Sequence, residues 1–187
     1  MEHLTDQELV LAARDGEAAA FDVLVRRHAP SVYRFVFRLV HDAAAAEDIS
    51  QETFLKIWKN LKRFDPQKPF RAWMFRIARN SAFDRLKKKR AFAFSELEAE
   101  DGEAMGLDEV EDEAPLPDEV VLSQELRDEL AAALDRLPPK AKSVVVLHGL
   151  EGLTFQEIAE ASDEPLNTVK SRYRRALGEL KKTIEKP

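Results

Sequence analysis

Cysteine is absent from this chain of 187 residues. Disulfides and thiolate metal sites are therefore excluded, and a reducing, cytoplasmic compartment is expected. Histidine is scarce. His3, His28, His41 and His148 are scattered with no ligand spacing, so neither a metal nor any other cofactor is expected. Glycine numbers only six, and no phosphate-binding loop occurs. There is no run of about 18 apolar residues, so no spanning helix or direct membrane insertion is expected. The opening "MEHLTDQELV" is acidic and polar, without the basic and apolar pattern of a secretory signal. Positive charge is missing from residues 91–120, which hold twelve Asp or Glu and no Lys or Arg. Outside that segment 29 basic residues face 23 acidic ones, so the net charge of -6 describes neither flank.

What is present is helix. "TDQE" at 5–8 is a capping box, with Thr5 as N-cap and Glu8 reaching back. Residues 18–40 carry Phe21, Leu24, Val25, Val32, Phe35, Val36 and Leu39 at near-helical spacing. Pro30 is expected to kink or divide that helix. Asp42 caps a third helix running to about Lys62, in which Ile49, Phe54, Leu55, Ile57 and Trp58 are expected to be buried. "FDPQK" is a loop, and Pro69 opens a fourth helix ending near Arg90. The acidic stretch, rich in like charge and poor in apolar residues, is read as a flexible linker. Helix returns beyond it and is interrupted at "LPPK". It resumes as helix, short turn, helix in "LTFQEIAEASDEPLNTVKSRYRRAL", where Thr154 and Glu157 form a second capping box and Asn167 an N-cap. The expected fold class is all-α. Two small helical domains, 1–94 and 120–187, are joined by the linker at 95–119.

In the last helix Leu166, Val169, Tyr173, Ala176, Leu177 and Leu180 share one stripe. Ser171, Arg174 and Arg175 face away from it, with Lys170 and Arg172 on the flanks. An apolar stripe that docks the helix and leaves a cationic face outward is how a helix-turn-helix presents its recognition helix to DNA. Arg pairs bidentately with guanine, while Lys and Ser hold phosphates or base edges. Ordinary surface cations give the same wheel, so this helix alone does not define the protein.

The first domain carries more. "AEDISQETFLKIW" (46–58) and "PFRAWMFRIARNSAFDRLKKKR" (69–90) precede "LPPKAKSVVVLHGLEGLTFQEIAE" and "NTVKSRYRRAL". In this order and spacing they closely resemble the extracytoplasmic-function group of bacterial sigma-70 factors, over nearly the whole chain except the linker. The resemblance implies sigma region two followed by sigma region four. It implies a non-enzymatic subunit that binds core RNA polymerase and promoter DNA, without a small-molecule substrate. Glu47, Asp48, Gln51 and Glu52 match positions that meet the beta-prime clamp helices, and region four is expected on the beta flap. Asn80 matches the position that holds a flipped minus-ten base, beside a pocket formed by the 64–69 loop. Arg76, Arg79, Lys87 and Lys88 supply charge for the phosphate backbone there. Phe70, Trp73, Phe75 and Phe83 look like stacking groups, but rings at helical spacing are more often core, and Trp73 is assigned there. Thr168, Lys170, Ser171, Arg172, Arg174 and Arg175 are expected at the minus-thirty-five element. An anti-sigma factor is an expected partner.

Two departures stand out in the turn. Asp163 occupies a position where the group often has Gly, which strains a left-handed residue. Glu164 replaces a usually apolar residue. A stand-alone helix-turn-helix regulator is the alternative function, but a receiver domain would alternate strands and helices, unlike residues 5–94.

Overall fold

A computed structural model describes residues 1, 3–93 and 124–184. The linker expected at 95–119 lies outside them. The chain divides into two compact units, Met1–Leu97 and Glu98–Pro187. All regular structure among the described residues is helical.

The first unit holds α1 (Asp6–Arg14), α2 (Ala18–Val40), α3 (Ala43–Asn60) and α4 (Phe70–Ala93), with a 3-10 turn at Leu61–Arg63. The caps form as their sequences dictate. The Thr5 hydroxyl accepts from the Glu8 amide at 3.3 Å, while the Glu8 carboxylate accepts from the Thr5 amide at 2.7 Å. Asp42 Oδ1 accepts from the Ala45 amide at 3.0 Å. Leu24, Val32, Phe35, Ile57, Phe70, Met74 and Phe75 are buried. The Phe35 and Phe75 rings meet edge to face at 5.3 Å, tying α2 to α4. Asp6 fastens α1 to α2. Arg27 donates to its Oδ1 at 2.6 Å and His28 Nε2 to its Oδ2 at 2.8 Å.

Pro30 does not divide α2, which runs unbroken from Ala18 to Val40. Its ring is exposed, and so is Arg26, whose carbonyl Pro30 has no N–H to serve. Water can satisfy that carbonyl, so the helix tolerates the proline. The third helix ends at Asn60, two residues short of expectation, and tightens into the 3-10 turn.

The second unit holds α5 (Gln124–Asp135), α6 (Pro139–Gly149), α7 (Phe155–Ser162) and α8 (Leu166–Ile184). Ala133, Leu134, Leu137, Val145, Ala176 and Leu180 form one core, with Leu130, Ala141 and Tyr173 against it. Every residue from Lys142 to His148 is buried. Lys142 is carried there by its aliphatic stem, its Nζ donating to Asp135 Oδ1 at 3.1 Å.

Candidate functional site

The outer face of α3 is polar at one end and apolar at the other. Glu47, Asp48, Gln51 and Glu52 are all exposed. At 100° per residue Glu47, Gln51, Phe54, Leu55 and Trp58 fall on one face. That face borders a groove of about 710 Å³, walled on the α2 side by Phe21, Val25, Ala29 and Tyr33. Leu55 and Trp58 are 58 % and 44 % exposed. The expectation that both lie in the core is therefore corrected. The chain supplies Phe21 against Trp58, with ring centroids 4.9 Å apart, but nothing that covers the groove among the described residues. Asp48 and Glu52 stand outside it. Glu52 pairs with Lys56 at 2.9 Å, and Lys56 also donates to Ser81 of α4.

On α4, Arg76, Asn80 and Lys87 are exposed and lie within about 40° of one another. Arg79 does not join them. It is 6 % exposed, with its guanidinium 4.4 Å from the centre of the Phe83 ring. Its place on an exposed phosphate-binding face is corrected: the helical turn aims it inward, where an aromatic face lies four residues on. Lys88 points elsewhere, sharing with Arg85 and Lys89 a shallow hollow of about 300 Å³ beside Val40 and Asp42. Arg85 was missed, although its spacing of three from Lys88 marks it as a helical neighbour.

The 64–69 loop is held by an Asx turn, Asp65 Oδ1 accepting from the Gln67 amide at 3.0 Å. Phe64 stacks on Trp73 at 4.6 Å. Trp73 is half-buried rather than fully in the core, while Phe70 and Phe75 are buried, so for these two the core reading of helically spaced rings holds and the base-stacking one does not. Neither the groove nor the hollow is lined by Asn80 or this loop.

In the second unit α7 starts at the capping box, with Thr154 accepting from the Glu157 amide at 3.2 Å. It ends at Asp163, which is left-handed at φ 56° and ψ 43°, as its departure from Gly foreshadows. His148 pins the motif from below. Its Nδ1 donates to the Leu153 carbonyl at 2.7 Å, and its ring stacks on Phe155 with centroids 4.0 Å apart. Tyr173 closes the cluster edge-on, 4.9 Å from His148. Three rings thus fix α6, α7 and α8 together.

The helix α8 begins at Leu166, so Asn167 lies inside its first turn instead of capping it. The Pro165 carbonyl accepts the first bond, from Val169 at 3.2 Å. Val169, Ala176 and Leu180 are buried. Leu177, at the edge of the stripe, is 37 % exposed. Of the expected DNA-facing residues Arg175 is exposed, while Thr168, Lys170, Ser171, Arg172 and Arg174 are half-buried. The Ser171 hydroxyl donates back to the Thr168 carbonyl at 3.1 Å. Arg172 pairs with Glu164.

Residues 24–92 match the family Sigma-70 region 2, and residues 127–180 match Sigma-70, region 4. The RNA polymerase sigma-H factor of Pseudomonas aeruginosa is 32 % identical over 96 % of this chain and 94 % of its own. The ECF RNA polymerase sigma-E factor of Escherichia coli is 34 % identical over 94 % of this chain and 92 % of its own. The solved structure of CnrH in complex with the cytosolic domain of CnrY aligns with a TM-score of 0.70 at 26 % identity, covering 96 % of this chain and 97 % of CnrH. The region two match removes the stand-alone regulator. With region two and region four in order on an all-α fold, the chain belongs to the extracytoplasmic-function group of the sigma-70 family: a sigma factor of RNA polymerase, directing promoter recognition and transcription initiation, and not an enzyme.

Proposed function

We propose that the α2/α3 groove is the surface through which this sigma factor takes up the beta-prime clamp helices of core polymerase. The observation that carries this is the exposure of Leu55 and Trp58 on the same helix face as Glu47 and Gln51. An apolar floor with a polar rim between two helices is the form of a helix-in-groove interface. Asp48 and Glu52 extend the polar rim. On α4, Arg76, Asn80 and Lys87 form the face that receives the melted minus-ten strand, Asn80 bonding the edge of an unstacked base. On α8, Arg175 and the residues around it meet the minus-thirty-five duplex, with region four against the beta flap. The protein acts in the cytoplasm beside polymerase. None of its described helices is long and apolar enough to cross a membrane. An anti-sigma factor that covers the groove would hold the protein inactive by denying polymerase the same apolar floor.

The test is transcription in vitro with purified core polymerase over a library of promoter sequences, joined to a pull-down of core by the Asp48→Ala/Gln51→Ala variant. Initiation confined to a sequence class, with weakened pull-down by a variant of unchanged helicity, is the expected result. Undiminished pull-down would remove these residues from the interface.

A further inference from the structure

The turn between α7 and α8 carries a carboxylate where the resemblance to the sigma factors implies an apolar side chain. Its backbone is pinned. The Asp163 and Glu164 amides both donate to the Ala159 carbonyl, the latter at 3.1 Å, and Pro165 fixes the next step of the chain. Glu164 therefore has little freedom in where it presents its carboxylate. Arg172 lies eight residues on, in the second turn of α8, and its Nη1 pairs with Glu164 Oε2. Both side chains are largely covered, at 16 % and 18 % exposure. Along α8, Arg172 stands four residues after Thr168 and three before Arg175. It is thus a neighbour of the outward face.

We propose that Glu164 occupies Arg172 in place of a DNA phosphate, and so sets the affinity of the recognition helix for duplex below what its cations would otherwise give. A carboxylate and a phosphate oxygen compete for the same guanidinium donors. The carboxylate is tethered and already in place. A cation neutralised within the protein also displaces no condensed counterion from a DNA phosphate, so the pair removes one phosphate contact from the salt dependence. The turn carboxylate is an affinity-setting residue that acts through Arg172 and need not touch DNA. This inference rests on the reading of α8 as the minus-thirty-five reader.

The experiment uses the full chain assembled with core polymerase and a promoter duplex selected by the transcription library. Binding is measured between 50 and 200 mM salt for wild type, Glu164→Gln, Arg172→Gln and the double variant. Glu164→Leu serves as a second release variant that keeps the covered position filled, and thermal melts establish folding. Release of Arg172 should tighten binding several-fold at 50 mM and steepen the logarithmic salt slope by about 0.9, so that the advantage shrinks by about 3.5-fold at 200 mM. In the Arg172→Gln background the Glu164→Gln change should gain far less than it gains in the wild-type background. If folded Glu164→Gln and Glu164→Leu bind no better than wild type, the pair is only a brace and the inference is overturned. A gain that persists equally in the Arg172→Gln background also overturns it, because Glu164 then acts by its own charge. Arg175→Ala separates the two levels. If it weakens binding while the release variants gain nothing, the recognition-helix reading stands and this inference falls. If Arg175→Ala has no effect either, the reading itself fails.

Discussion

Replacing Leu55 by Ala separates what the groove does for folding from what it does for docking. Leu to Ala removes three carbons, and burying them in full is worth about 2.4 kcal/mol at about 0.8 kcal/mol each. Leu55 is 58 % exposed in the free chain. Folding thus uses about two fifths of that burial, and a partner that fills the groove uses the rest. The substitution should cost region two about 1 kcal/mol of stability, which for a unit of this size lowers the melting temperature by about 4–8 °C. It should cost the complex with core polymerase about 1.4 kcal/mol more, a tenfold rise in Kd. The measurement is a competition titration of labelled protein against purified core polymerase, with circular dichroism melts of the free chain. Leu11 is the control. It is 45 % exposed on α1, away from the groove, and Leu11→Ala should leave core affinity unchanged. The reasoning is refuted if folded Leu55→Ala binds core as tightly as wild type, or if Leu11→Ala weakens it as much.

Gly178→Ala in α8 should raise stability by about 1 kcal/mol in a thermal melt, because an added Cβ meets nothing within 4 Å and alanine restores helix propensity. Asn80→Ala should leave core binding intact but reduce permanganate reactivity of unpaired thymines at the minus-ten element; normal opening would end its base-pocket role. For Asp6, burial alone would raise the carboxyl, but the hydrogen bonds and charges of His28 and Arg27 outweigh it and hold the group below its ordinary value. Its stabilisation is therefore complete above the unfolded pKa near 4 and is lost as pH falls through the lower folded value. Asp6→Asn should cost about 1–2 kcal/mol at neutral pH and progressively less as pH falls through the folded value, in denaturant titrations run across an acid series.

What could be read in advance was whatever is local in the chain. The capping boxes at Thr5 and Thr154 and the Asp42 cap depend on a spacing of three, and all form. The periodicity of residues 18–40 located α2, but not its continuity. Whether Pro30 breaks a helix depends on whether the carbonyl it abandons meets water, which is a property of the packed unit. Arg79 shows the same limit for charge. A run of cations at the end of α4 reads as one basic surface, yet one turn of helix sends Arg79 under Phe83 while Arg76 stays out. The Glu164 and Arg172 pair was equally hidden, since both residues were noticed separately and only the turn geometry joins them.

Apolar residues raise a sharper form of this problem. An interface must be exposed in the free chain and dry in the complex, so its composition resembles a core. Helix α6 carries Val144, Val145, Val146 and Leu147, and the unit covers all four. Helix α3 carries Phe54, Leu55, Ile57 and Trp58, and the unit covers only Phe54 and Ile57. Periodicity does not separate the two helices; the supply of cover does. In the second unit α7 and α8 pack on α6 while α5 packs on α8 and closes the same core, whereas α2 meets α3 along one side and leaves a channel on the other. The first unit is nonetheless complete without a partner, because Phe35, Ile57, Phe70, Met74 and Phe75 close its core away from the groove. The exposed part of the groove is thus surplus to folding. A surface that folding does not need, and that leaves leucine and tryptophan in water, has a cost in solubility that only a partner offsets. If the groove takes up the clamp helices as proposed, that partner is core polymerase.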